Sequence, residues 1–188
     1  MAGALISQIA MSQTLEKMQW FNEPDHWQIE DGTLVMDVTP QTDYWRISHY
    51  GFTVDDAPYL YTLRGGEFEV KVKISGDYKA RFDQAGLMLR IDHENYIKAG
   101  IEYVDGKYNL STVVTHHTSD WSIIPLDKPV PYIWIKAVRR LDAVCMAAGQ
   151  PSRHGRHDGC LARRHGIQGH VRALQHKASA RHAPSGVA

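Results

Sequence analysis

Apolar residues recur along this chain at every second position, the period of a half-buried β-strand. In "EFEVKVKI" the alternation has no error: Phe68, Val70, Val72 and Ile74 fall on one face, and Glu67, Glu69, Lys71 and Lys73 on the other. "TLVMDV" alternates through Leu34, Met36 and Val38, after the turn signal Glu30-Asp31-Gly32. "YWRIS" would place Tyr44, Arg46 and Ser48 opposite Trp45 and Ile47. In "AGLMLRID", Ala85, Leu87, Leu89 and Ile91 share a face against Gly86, Met88, Arg90 and Asp92. In "NYIKAGIEYV", Ile97, Ala99, Ile101 and Tyr103 oppose Tyr96, Lys98, Gly100 and Glu102. Asp105-Gly106 then predicts a hairpin into the β-branched run "YNLSTVVT". "PVPYIWIKAV" reads as another strand, its prolines at the start where a missing N–H is tolerated.

Turn signals separate these runs every eight to twelve residues, and no segment carries a helical period. Arg64-Gly65-Gly66 and Ser75-Gly76-Asp77 are turns of this kind. "SDWS", Ser119 to Ser122, reads as a turn with Trp121 as a packing anchor. Together the pattern predicts an all-β sandwich or barrel.

Composition changes this picture only near the C-terminus. The 188 residues, 43% hydrophobic and 22% charged, suit one domain with a sizeable core. The formal net charge of zero hides two unlike parts. Up to Arg140 the chain carries every Phe, Trp and Tyr and a net charge of −5. From Leu141 onward there is no aromatic residue, the net charge is +5, and six of the eleven histidines occur. No apolar run is long enough to span a bilayer. The N-terminus "MAGALISQIAMSQ" has no basic residue before its apolar part, so it is too weak for a secretory signal. The two cysteines, Cys145 and Cys160, leave the body without a disulfide framework. A cytoplasmic protein is the expectation.

The segments "WFNEPDHWQIEDGTLVMDV", "TDYWR", "FEVKVKI", "QAGLMLRIDHENYIKAGIEYVDGKYNLSTVVT" and "SDWS" together resemble the DUF1349 family. That family is grouped with the concanavalin A-like lectin and glucanase folds and includes a fungal "regulation of enolase protein" type. The resemblance runs from about Met18 to Leu141. It implies a sandwich of two curved antiparallel sheets and no established activity. In such proteins further aromatic-rich strands follow the one that matches "YIWIKAVRRLDAV". Here the Arg-, His-, Ala- and Gly-rich remainder stands in their place. Its composition is what an out-of-frame reading of a GC-rich gene gives, with the break near Val144; reading the gene across that codon tests this hypothesis. The fold expected is a concanavalin A-like two-sheet antiparallel sandwich of jelly-roll type, incomplete at its C-terminus. Residues 1–17 would be an extension, 18–141 the sandwich, and 142–188 an aberrant, poorly ordered tail.

The charges among the apolar strands are the candidate chemistry. Arg90, Lys98 and Glu102 lie on adjacent strands, each on the face opposite its aliphatic stripe. With Gly86, Met88 and Gly100 on the same face, there would be room above it for a polyol. Arg90 and Lys98 could then donate to hydroxyl or carboxylate groups and Glu102 could accept. Trp45 and Tyr96, with Trp121, are candidates to stack on a sugar ring. The plainer reading is a cross-strand ion pair of Glu102 with Lys98 or Arg90, worth under about 1 kcal/mol if exposed. Glycoside hydrolysis needs two carboxylates roughly 5 to 9.5 Å apart across the bond. No such pair is legible: Glu67 and Glu69 share their face with lysines, Asp92 and Glu94 lie at a turn, and Glu102 stands alone. The adjacent His116 and His117 would point to opposite faces of a strand and cannot easily share a metal ion. The tail's His154, His157 and Cys160 have metal-like spacing but read as coincidence in such a segment. Gly65-Gly66 lacks the Lys-Ser/Thr and helix of a phosphate loop.

The functional expectation is a non-catalytic cytoplasmic module binding a carbohydrate or sugar-derived metabolite through Arg90, Lys98 and Glu102, with Trp45 and Tyr96 stacking. No catalytic residue, cofactor or metal is expected, and neither nucleic acid nor a membrane is an expected partner. Two other readings stay open. One is a protein-interaction regulator of a metabolic enzyme, whose sign would be an exposed apolar patch. The other is a glycosidase-like hydrolase.

Overall fold

The computed structural model describes residues 15–149 and the backbone of one further strand at 167–175. Every element in it is a strand. In chain order these are β1 (Gln19–Phe21), β2 (Trp27–Glu30), β3 (Thr33–Val38), β4 (Tyr44–Arg46), β5 (Thr53–Asp55), β6 (Tyr59–Tyr61) and β7 (Phe68–Asp77). There follow β8 (Gln84–Arg90), β9 (Asn95–Val104), β10 (Lys107–His116), β11 (Thr118–Pro125), β12 (Ile133–Arg140), β13 (Ala143–Gly149) and β14 (Ile167–Gln175). They form a four-stranded sheet in the order β11-β10-β9-β8 and a six-stranded sheet in the order β13-β12-β7-β14-β3-β2. Two small ribbons, β1-β6 and β4-β5, complete the described sheets.

The two large sheets pack face to face because each has one aliphatic face. Val72 and Ile74 of β7 and Ile133 and Ile135 of β12 meet Ala99 and Ile101 of β9 in one buried cluster, with Ala85 and Leu87 of β8 at its margin. This is the β-sandwich that the period-2 pattern predicts. The outer lysines of β7 are half-buried, with their ammonium groups over rings: those of Lys71 and Lys73 sit 4.4 and 4.1 Å from the Trp134 and Tyr132 ring centroids. A second cluster joins Leu34 and Met36 of β3 to Trp20 and Leu60 of the β1-β6 ribbon. A third, of Tyr44, Met88 and Tyr96, lies on the other face of the four-stranded sheet.

The structure departs from the sequence reading in five places. Ser75-Gly76-Asp77 is not a turn but the end of β7. β4 ends at Arg46, because Ile47 and His49 adopt a left-handed backbone with φ 64° each; Tyr44 and Trp45 are therefore both buried instead of facing apart. "SDWS" is not a turn but part of β11. The β8 pattern stops at Arg90, which leaves Ile91 88% exposed. Finally, two strands lie beyond residue 141, where the sequence reading ended the sandwich. β13 pairs antiparallel with β12, and β14 runs parallel to both of its neighbours, β7 and β3. A strand in that position takes up the backbone N–H and C=O groups along the facing edges of β3 and β7.

Candidate functional site

The register of the four-stranded sheet lays out its outer face as cross-strand rows. One row is Gln84, Glu102 and Asn109; the next is Gly86, Gly100 and Ser111; the third is Met88, Lys98, Val113 and Trp121; the fourth is Arg90, Tyr96, Thr115 and Ser119. The sequence reading put Arg90, Lys98 and Glu102 on one face, and the register does so. They nevertheless have different surroundings, because the chain from Asp43 to Tyr61 crosses over this face and supplies partners of opposite charge.

Arg90 is taken by Asp55 of β5. The guanidinium is bidentate, with Nη2 at 2.7 Å from Asp55 Oδ2 and Nη1 on Oδ1. It also lies over the Phe21 and Tyr44 rings, at 4.9 and 5.4 Å. Hydrogen bonding to this carboxylate holds its pKa above the usual arginine value. Lys98 donates to Asp43 Oδ1 at 2.6 Å and to Gln84 Oε1 at 3.0 Å, and Gln84 Nε2 donates to the same Asp43 oxygen at 3.2 Å. Glu102 is only 6% exposed. It accepts from the Trp121 indole N–H at 2.9 Å, which is shared with Ser111 Oγ at 3.2 Å. Burial pushes the Glu102 carboxyl pKa up; the Ser111 hydroxyl, the Lys98 charge and the Trp121 N–H pull it back in part. No Glu102–Lys98 or Glu102–Arg90 ion pair forms. Both cations turn to aspartates of the crossover instead, so the expected cross-strand pair is replaced by straps across the sheet.

The aromatic candidates are structural. Trp45 is 6% exposed, donates to the Ser48 carbonyl at 2.8 Å, and packs edge-on against Tyr50. Tyr96 is 5% exposed and sits edge-on to Tyr44 in the third cluster. Neither offers an open ring face to a sugar. A third strap lies at the far end of the face. Arg46 Nη2 meets Glu94 Oε1 at 2.6 Å, and His117 Nδ1 meets Glu94 Oε2 at 2.8 Å. His116 Nδ1 meets Asn95 Oδ1 at 2.8 Å, and the two histidine rings lie 4.5 Å apart instead of on opposite faces, because β10 ends at His116 and His117 is left-handed with φ 61°. Among the described residues, no group of three or more His, Cys, Asp or Glu side chains is placed to hold a metal ion.

What the crossover leaves beneath it is a cavity of about 170 Å³. Asp43, Gln84 and Lys98 form a hydrogen-bonded polar cluster in its wall, Thr39, Gln41, Thr42, Asp83 and Ser111 add polar groups, and its apolar part includes Met36, Val38, Tyr59, Leu87 and Met88. Gly86 and Gly100 form part of the floor. The two glycines do not serve chiefly to make room for a ligand. A Cβ on Gly86 would stand 2.4 Å from the Ala99 carbonyl oxygen, and one on Gly100 would stand 2.0 Å from that of Ala85. They allow close strand approach, and the bare floor is the consequence. Of the five residues singled out from the sequence, the cavity is lined by Lys98 alone. Asp43, Gln84 and Ser111 were missed. Ser111 and Gln84 could have been found by pairing "YNLSTVVT" and "QAGL" against β9 in register. Asp43 gave no signal, because it lies outside any alternating run.

Comparison with known proteins agrees with the fold. Residues 20–157 match the family model described as a protein of unknown function, DUF1349. A Saccharomyces cerevisiae protein named "Regulation of enolase protein 1" is 41% identical over 108 residues, 57% of this chain and 54% of its own length. An uncharacterized protein of Emericella nidulans is 30% identical over 111 residues, 55% of this chain and 54% of its own. The chain thus spans about half the length of the curated relatives it matches. The crystal structure of a functionally unknown protein from Saccharomyces cerevisiae superposes with a TM-score of 0.66 at 33% identity, covering 71% of this chain and 72% of that one. With its sandwich strands and most of its length inside the family match, the chain belongs to the DUF1349 family.

Proposed function

We propose that this protein is a non-catalytic binding module of the cytoplasm, and that the cavity under the crossover takes a carbohydrate or sugar-derived metabolite. The observation that carries the reading is the polar cluster in the wall of the cavity. An ammonium group has three N–H donors. Lys98 directs two at Asp43 and Gln84, which fixes the third for a ligand oxygen. The Asp43 carboxylate adds an acceptor beside it. A few fixed polar groups in an otherwise apolar pocket are the usual make-up of a small-molecule site. Glu102 supports this arrangement from behind, through Trp121 and Ser111.

The test is backbone-amide NMR of the chain titrated with glucose, gluconate and glucose 6-phosphate at millimolar concentration. Shifts centred on Gln84, Lys98 and Ser111 with at least one of them are expected, and Lys98→Met should remove them. Absence of such shifts with all three would overturn the reading.

A second reading rests on the yeast relative's name: a protein-interaction regulator of a metabolic enzyme, of the enolase-regulator type. Ile124, 65% exposed on the sheet-edge strand β11, is the apolar side chain such a partner would meet. Enolase activity measured with and without the purified chain tests it. A change abolished by Ile124→Asp supports this reading, and no change removes it.

A further inference from the structure

The cavity lies where the three buried clusters meet without filling the space between them. Met36 comes from the cluster against the β1-β6 ribbon, Ala99 and Ile101 from the inter-sheet core, and Tyr44 and Met88 from the cluster under the crossover. Protein interiors are close-packed and leave few voids larger than a water molecule. Here a half-open cavity of about 170 Å³, with methionine, leucine and tyrosine side chains in its wall, leaves room for a small group. An apolar cavity of about 150 Å³ is known to stay dry and to take up benzene. Thr39, Gln41, Thr42 and Asp83 add polar groups to those of Asp43, Gln84 and Lys98, but most of the cavity wall is apolar. Gly86, exposed on edge strand β8, adds no side chain to the floor of the cavity.

We propose that the apolar part of this cavity binds a single aromatic ring, carried as a substituent by a ligand whose polar part meets Lys98, Asp43 and Gln84. The ring would lie among Met36, Val38, Tyr59, Leu87 and Met88. The proposal deepens the binding reading above by naming the ligand class: an aryl-substituted polyol or sugar acid instead of a plain sugar. The ring supplies affinity by leaving water, and the polar cluster fixes its orientation.

The experiment uses the full chain with ¹³C-labelled methionine methyl groups, titrated with 4-nitrophenol, methyl glucoside and 4-nitrophenyl glucoside. The Met36 and Met88 methyl resonances report on the cavity, and Met146, packed on the inter-sheet core outside it, serves as the control. Both aromatic probes should shift Met36 and Met88 and leave Met146 in place, and the aryl glucoside should bind at least tenfold more tightly than the methyl glucoside. Leu87→Phe, which fills the space with a ring of the protein's own, should weaken 4-nitrophenol binding at least tenfold. Failure of 4-nitrophenol to move Met36 and Met88 would overturn the aromatic site, even if a plain sugar binds at Lys98. If 4-nitrophenol moves them and neither glucoside binds more tightly than it does, the ring site stands and the sugar reading falls.

Discussion

Gly86 and Gly100 stand directly opposite each other on β8 and β9, so close that a Cβ added to Gly100 would lie 2.6 Å from the Gly86 Cα. No side-chain rotation relieves such a contact, because both partners are backbone. Gly100→Ala should therefore destabilise the protein by about 3 kcal/mol, at the upper end for overpacking. Gly65, which has open space around its Cβ position, is the control: Gly65→Ala should stay within about 0.5 kcal/mol. Urea unfolding midpoints of the two variants give the comparison, and equal midpoints would contradict the close approach.

The Asp55–Arg90 strap should be measurable as a coupling. Its side chains are only 29% and 15% exposed, and the pair is bidentate. A double-mutant cycle of Asp55→Ala and Arg90→Met should give about 1–2 kcal/mol of interaction energy. The open Arg140–Glu67 pair, about half exposed on both sides, should give under about 0.5 kcal/mol. Equal couplings would mean that the crossover is not held by its charges.

Glu102 sets a pH dependence. Burial raises its folded-state pKa above the ordinary 4.5, so between those two values the folded chain binds more protons than the unfolded one. Stability from this group therefore falls as pH rises through that window and is regained on acidification. Glu102→Gln keeps an acceptor for Trp121 and removes the titration. Relative to the parent chain, the variant should gain stability between pH 4 and pH 7. Melting temperatures of both across that range check it, and a difference that does not vary with pH would place Glu102 in a more polar setting.

The Tyr96 hydroxyl is buried without a hydrogen-bond partner among the described residues. A buried, unsatisfied hydroxyl costs free energy, so its removal should do no harm. Tyr96→Phe is expected to be neutral or to stabilise by about 1 kcal/mol, read from the denaturation midpoint. A loss above about 1 kcal/mol would show that the hydroxyl has a partner.

The long strands were legible because their signal is local. β7 alternates from Phe68 to Ile74 and β9 from Tyr96 to Tyr103, enough to assign Val72, Ile74, Ala99 and Ile101 to the core from sequence. The crossover was much less legible. β4, β5 and β6 have three residues each, too few to establish a period. Its left-handed positions at Ile47 and His49 are not glycines, so the usual turn signal is missing.

The candidate site divides along the same line. The sequence alone determined that Arg90, Lys98 and Glu102 share a face, since alternation dictates which way each side chain leaves a strand. Only the tertiary structure decided what each one meets. Arg90 finds Asp55 at a separation of 35 residues, and Lys98 finds Asp43 at 55. Such pairings depend on where a crossover lands, which no local pattern encodes. The same long-range path buries Trp45 and Tyr96, and it leaves a cavity whose walls come from strands far apart in the chain.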